Sequence, residues 1–367
     1  MTPGRAAPSY SPSASLSSFW SRAAEPGNIP MSAITRFFGR TRDGIAGRLG
    51  KLHAGIRWGA LAIPLLFLLF IAAFFFEYRI DDSPNLQPNP NFIVAGGSKA
   101  VTMAATLMDL EINHTAWSPN RLWYHPIAYS ANMKNYQQGI QYAVARWAVE
   151  MADLLGRERG SGEADGDLTN ASGLFKYDPT AWIFPSAVSQ YDKAIDHLVA
   201  YNRRLAAGQA KYDKIASNLA VFIDRISKDM GSQSAVLELT VLSPGDFTPE
   251  EKQHLTDNER AALSSNGGYF DSRAGAAFYA TKGRLYAYYV ILKAIGEDYA
   301  EVLATKNAQD HWENMLVSLR SAATFSKFFV ANGAAGAYFT PSDLSTQGFH
   351  LLRADKQLAE LADILNK

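Results

Sequence analysis

The residues most able to carry chemistry are seven histidines, His53, His114, His125, His197, His254, His311 and His350. No two are spaced i, i+4 on a helix face, and the H-E-x-x-H pattern is absent. The chain has no cysteine, so the usual zinc ligand sets are missing too. Each histidine reads as a surface or capped residue. The stretch Glu163-Ala164-Asp165-Gly166-Asp167 begins like a calcium loop. Counted from Asp165, however, Asn170 stands where the turn glycine belongs and Lys176 where the closing glutamate belongs, so it reads as a solvated loop. Adjacent acids such as Glu297 and Asp298 point about 100° apart on a helix and make no glycosidase pair. G-x-S-x-G, P-loop and G-x-G-x-x-G motifs are absent. The expectation is therefore no catalytic residue, no metal and no cofactor.

Polar residues set among aromatics are the better candidates. One group is Trp117-Ser118-Pro119-Asn120 and Leu122-Trp123-Tyr124, followed by Asn132, Asn135 and Gln137. A second corner is Trp182-Ile183-Phe184-Pro185-Ser186. Two readings stand side by side. Asn and Ser cap helices while Trp fills the gaps between them, or the same mixture lines a groove for a peptide, a glycan or a partner helix. The candidate binding residues are Trp117, Asn120, Trp123, Asn132, Asn135, Gln137, Trp182 and Ser186.

The elements that must position these residues read as helices. Apolar residues recur at threes and fours from Lys134 to Leu155 and from Ser186 to Leu205. The pattern returns after Gly208 as far as Met230, from Phe278 to Val302, from Trp312 to Phe325, and at Leu358 to Leu365. Such narrow stripes belong to helices packed side by side. Thr248-Pro249-Glu250-Glu251 is a capping box with Pro at the first helical position. Gly156 and Gly231 stand where two helices should end. Residues 236–242, VLELTVL, fit either a strand or a continued helix. The fold class is all-α, a large multi-helix bundle over residues 94–367.

Ahead of the bundle lies WGALAIPLLFLLFIAAFFF, residues 58–76, nineteen residues without a charge. At about 1.5 Å per residue this approaches the roughly 30 Å hydrocarbon thickness of a bilayer. It reads as one N-terminal transmembrane helix, an uncleaved signal anchor through which the chain contacts lipid. Residues 1–57 carry eight basic and two acidic residues, leaving 27 basic and 33 acidic after the run. The positive-inside rule then puts the N-terminus in the cytoplasm and exports the C-terminal domain. Residues 1–30, rich in Ser, Pro and Ala, read as disordered, and Met31 is a second possible start. Residues 36–57 mix apolar and basic residues. They fit either a plain flank or a segment lying on anionic lipid. Residues 77–93, with Pro84, Pro88 and Pro90, read as an extended linker spacing the domain from the bilayer. The acidic exported domain argues against nucleic acid, and the missing cysteines leave stability to core burial.

The order of several short motifs makes the chain resemble a known family. They are Trp117 to Asn120, then Asn132, Met133, Asn135, Tyr136, Gln137 and Gly139, then Gly156-Arg157, Asp167-Leu168 and Trp182 to Ser186. Later come Phe278-Tyr279 with Gly283, then Leu292 to Ile295, and Asn332-Gly333. Over roughly residues 60 to 365 the chain resembles the uncharacterised bacterial family catalogued as domain of unknown function 2333. Ala280-Thr281-Lys282 departs from the acid-Ala-Arg expected there. The resemblance implies one N-terminal span and a large helical domain in bacteria with two membranes, and brings no reaction. The functional expectation is a non-enzymatic scaffold or accessory subunit, in the inner membrane with its bundle in the periplasm, bound to another envelope protein. The alternative is an enzyme or ligand-binding protein acting on peptidoglycan or lipid, with Asp167 or Asp271 near the aromatic corner.

Overall fold

The computed structural model describes residues 62–72, 80–122, 131–155, 164–241, 248–255, 260, 272–325, 327, 330–332 and 342–367. The basic tail, both ends of the apolar run, Trp123 and Asp271 lie outside the described residues. Residues 62–72 are helical with exposed side chains. Among the described residues, no helix is long and apolar enough to cross a membrane.

The remainder is all-α among the described residues. α1 (Lys99–Asp109) runs on into a π-helical turn, Leu110–His114, and α2 (Ala131–Glu150) into another, Met151–Leu155. α3 (Gly166–Phe175), α4 (Ala187–Ala206), α5 (Ala216–Val241) and α6 (Pro249–His254) follow. The chain closes with α7 (Ser272–Asp298), α8 (Ala300–Thr305), α9 (Gln309–Thr324) and α10 (Asp343–Asn366). α7 is the axis, packing against α1, α2, α5 and α9. α3 and α4 pair beside α1 and α2, while α10 packs on α5 and α9.

The closest approach is between α2 and α7. A Cβ on Gly139 would lie 2.1 Å from the Ala280 carbonyl, and one on Gly283 would lie 2.0 Å from the Tyr136 carbonyl. Only hydrogen fits at these two positions, so the backbones touch. Around the crossing, Tyr136, Ile140, Phe278 and Tyr286 are buried in one continuous core.

Several local signals work as the sequence dictates. Ser186 caps α4 by accepting from the Ser189 amide, and Thr248 and Glu251 form the reciprocal capping box with Pro249 in the first turn. Two expectations need correction. α5 does not stop at Gly231 but continues to Val241, so 236–241 is helix. The glycine costs the helix about 1 kcal/mol, while the apolar stripe beyond it still buries Leu237 and Leu239. The helix expected from Phe278 to Val302 breaks at Tyr299, whose φ of −107° separates α7 from α8.

The supposed spacer is the third correction. Residues 80–98 lack regular structure apart from a 3-10 turn at Pro90–Phe92, yet they lie against the bundle as a strap. Tyr136, Tyr286 and Tyr289 hydroxyls donate to the carbonyls of Asp81, Ser83 and Pro84 at 3.0, 2.9 and 3.1 Å. Asp82 meets the fully buried Lys282 ammonium at 2.7 Å. Burial lowers the pKa of that lysine, and Asp82 opposes the shift by favouring the charged form.

Candidate functional site

The two aromatic corners of the sequence meet in space. Trp117 is fully buried. Its ring stands edge-on to Tyr191, centroids 5.3 Å apart, and its Nε1 donates to the Pro179 carbonyl at 2.9 Å. Asn120 Nδ2 donates to the Ala181 carbonyl at 3.1 Å. The Tyr177 hydroxyl donates to the Pro185 carbonyl at 3.1 Å, and the Ala187 amide closes the loop on Ala181 at 2.9 Å. The Phe184-Pro185 peptide is cis.

This loop, residues 178–187, presents its side chains outward. Trp182 is 58% exposed, Ile183 61% and Phe184 99%. Three consecutive large apolar side chains on a loop whose backbone is tied by four hydrogen bonds at three carbonyls form a rigid knob. A contiguous exposed apolar group of this kind marks an interaction surface more often than a scattered leucine does.

The knob's foundation reaches the interior through Gln137. Gln137 Oε1 accepts from the Ser118 amide and hydroxyl, each at 2.8 Å. Its Nε2 donates to Glu111 Oε2 at 3.0 Å and to the Ala116 carbonyl at 3.2 Å. Glu111, only 1% exposed, sits in the π-helical turn after α1. Burial pushes its carboxyl up to about 7, opposed by the bond from Gln137 and aided by the Asp81 charge. Adjacent residues of α2 therefore serve two segments, Tyr136 holding the strap and Gln137 the base of the knob.

The other sequence candidates separate. Ser186 is the α4 cap at the knob's edge. Asn135 spends its amide on the Ala131 carbonyl of its own helix at 2.7 Å. Asn132 is half-buried in the first turn of α2, with its Oδ1 3.8 Å from where a Gly275 Cβ would stand. Trp123 lies outside the described residues. Sequence reasoning missed Ile183 and Phe184 as site residues, although they stand inside the motif it singled out. It also missed Tyr177 and Glu111, for which no local signal exists.

Asp165 and Asp167 do not form a solvated loop. Asp165 caps α3, and Arg204 Nη2 meets Asp165 at 2.7 Å and Asp167 at 2.5 Å. Asp167 also faces His197 Nδ1 at 2.8 Å. Partial burial raises the Asp167 pKa, but hydrogen bonds from His197 and Arg204 outweigh it and hold the carboxyl below its usual range. A carboxylate held ionised in this way is a poor proton donor at neutral pH.

No curated protein and no solved structure matches the chain. A family model described as an uncharacterized protein conserved in bacteria, DUF2333, matches residues 89–367. The match takes in Trp117, Gln137, Gly139, Trp182, Gly283 and the other quoted motifs. It begins at residue 89 rather than near 60, leaving the apolar run outside. Strap end, knob and the α2–α7 crossing all fall inside it, and the chain belongs to this uncharacterised bacterial family, DUF2333.

Proposed function

We propose that the chain is a single-pass inner-membrane protein, N-terminus in the cytoplasm, whose exported helical domain is a non-enzymatic scaffold or accessory subunit of an envelope complex. The observation that carries the reading is the knob of Trp182, Ile183 and Phe184 on its hydrogen-bonded base. Burying each of these side chains under a partner is worth roughly 1.5–3 kcal/mol. A loop already fixed by its own carbonyl bonds loses little conformational entropy on docking. Trp-centred clusters of this kind supply most of the binding energy at protein interfaces. The anchor rests on the nineteen uncharged residues 58–76 and the basic flank before them. That flank suits contact with anionic lipid.

The enzymatic alternative needs an acid free to move a proton, and the ion pairs on Asp167 argue against that residue. The reading is tested by cross-linking in native membranes, then affinity recovery of the tagged full-length chain. The expected result is an envelope protein recovered in fixed ratio from wild type and lost from the Trp182→Ala/Phe184→Ala variant.

A further inference from the structure

A second feature is independent of the knob. The strap from Pro84 to Ser98 roofs a cavity of about 500 Å³ over α1 and α7, within the range of small-molecule sites. Its walls are mainly apolar, with Leu86, Ile93, Val94, Met103 and Val290 among them. Three charged side chains border it. Lys99 and Glu297 bond each other at 2.8 Å. Lys293, one helical turn before Glu297, meets the Pro84 carbonyl at 3.5 Å, the outer limit of a hydrogen bond. Among the described residues, it has no carboxylate within ion-pair distance.

A neighbouring cavity of about 370 Å³ shares Tyr289, Lys293 and Glu297 with the first and extends to α9. Trp312 lines it, 2% exposed, and among the described residues its buried Nε1 has no hydrogen-bond partner. The indole packs against Gly296, also lining this cavity, where a Cβ would stand 2.3 Å from Nε1.

We propose that this groove binds a single-chain amphiphile with an anionic head, its acyl chain under the strap and its head at Lys293. Charge and wall chemistry select this class. A neutral alkane would leave Lys293 desolvated without a counter-charge, and a cationic amphiphile would be repelled by it. A peptide would bring a main-chain donor and acceptor at every residue, which apolar walls cannot satisfy. Fatty carboxylates and lysophospholipids share the required chemistry.

The test uses the full-length chain in native membranes and a photoactivatable palmitate, with adducts mapped by mass spectrometry. Labelling of other membrane proteins in the same sample controls for probe delivery. The expected adducts fall on Met103 and Val290. Excess palmitate or lysophosphatidylglycerol displaces them, whereas hexadecanol needs at least about tenfold more, a difference of about 1.4 kcal/mol. Whichever acid competes at the lower concentration names the natural source. Ala95→Trp, at an exposed cavity-wall position, should abolish the adducts. Lys293→Ala should keep them while erasing the difference between acid and alcohol. Absence of cavity adducts, or equal competition by alcohol and acid on the wild-type chain, overturns the proposal.

Discussion

The strap of residues 80–98 and the knob of residues 178–187 are both irregular segments tied down through their own carbonyl oxygens, yet they turn opposite faces to solvent. In the strap, three tyrosine hydroxyls donate to Asp81, Ser83 and Pro84, and the segment sends Asp82 inward to the buried Lys282. In the knob, an indole, an amide and a phenol hold Pro179, Ala181 and Pro185, while Trp182, Ile183 and Phe184 face outward. The same pinning chemistry thus serves a closed segment and an open one. What separates them is the side chain left uncovered. The strap turns its charged Asp82 inward to a buried partner, whereas the knob leaves three consecutive large apolar side chains exposed.

The sharpest break in that comparison lies within the knob. Trp117→Ala empties a fully buried site under it and should cost about 3–5 kcal/mol, measured as a shift in denaturant midpoint. Trp182→Ala with Phe184→Ala should move stability by no more than about 0.5 kcal/mol, as surface changes do. Equal effects would mean that the knob is core. In the strap, Asp82→Ala removes the carboxylate facing a buried ammonium and should cost about 3 kcal/mol. Adding Lys282→Met to that variant should recover much of the loss.

Glu111 tests the common foundation of both segments. Its folded carboxyl titrates at about 7, against an ordinary value of 4.5. Between those values the unfolded chain has lost the proton and the folded chain keeps it. Stability therefore falls as pH rises from about 4.5 to about 7, and the deficit, about 3 kcal/mol, is complete above that. Glu111→Gln keeps an acceptor for Gln137 and should change little near pH 4 while stabilising the domain by up to about 3 kcal/mol at pH 8. Thermal melts across this range check the sign. A smaller loss than at Trp117 or Asp82 is expected at Asn120→Ala, about 1 kcal/mol for one hydrogen bond, together with faster amide exchange at residues 181–187.

Helix starts were legible because capping is local. Ser186 and the Thr248–Glu251 box announce themselves within four residues. The end of α5 was not, since Gly231 is a stop signal only where no stripe beyond it finds a core, and Leu237 and Leu239 do. The prolines correctly marked 80–93 as irregular. Nothing local could show that Tyr286 and Tyr289, some two hundred residues on, would hold that segment's carbonyls. At the site, residue type picked out both aromatic corners but not their fates. Trp117 and Trp182 read alike in sequence, yet the fold seats only the first in the core, edge-on to Tyr191. Asn132 and Asn135 were drawn in by proximity in sequence to Gln137, although Asn132 lies beside Gly275 of α7 and Asn135 bonds its own helix.

The central claim is that the knob docks a partner and the Trp117 base only holds it in place. The direct measurement is recovery of cross-linked complexes from native membranes by wild-type chain and by the Trp182→Ala/Phe184→Ala variant, with both melting at the same temperature. The account predicts one envelope protein in fixed ratio to wild type, reduced at least tenfold with the variant. Equal recovery of that partner by the folded variant would contradict it.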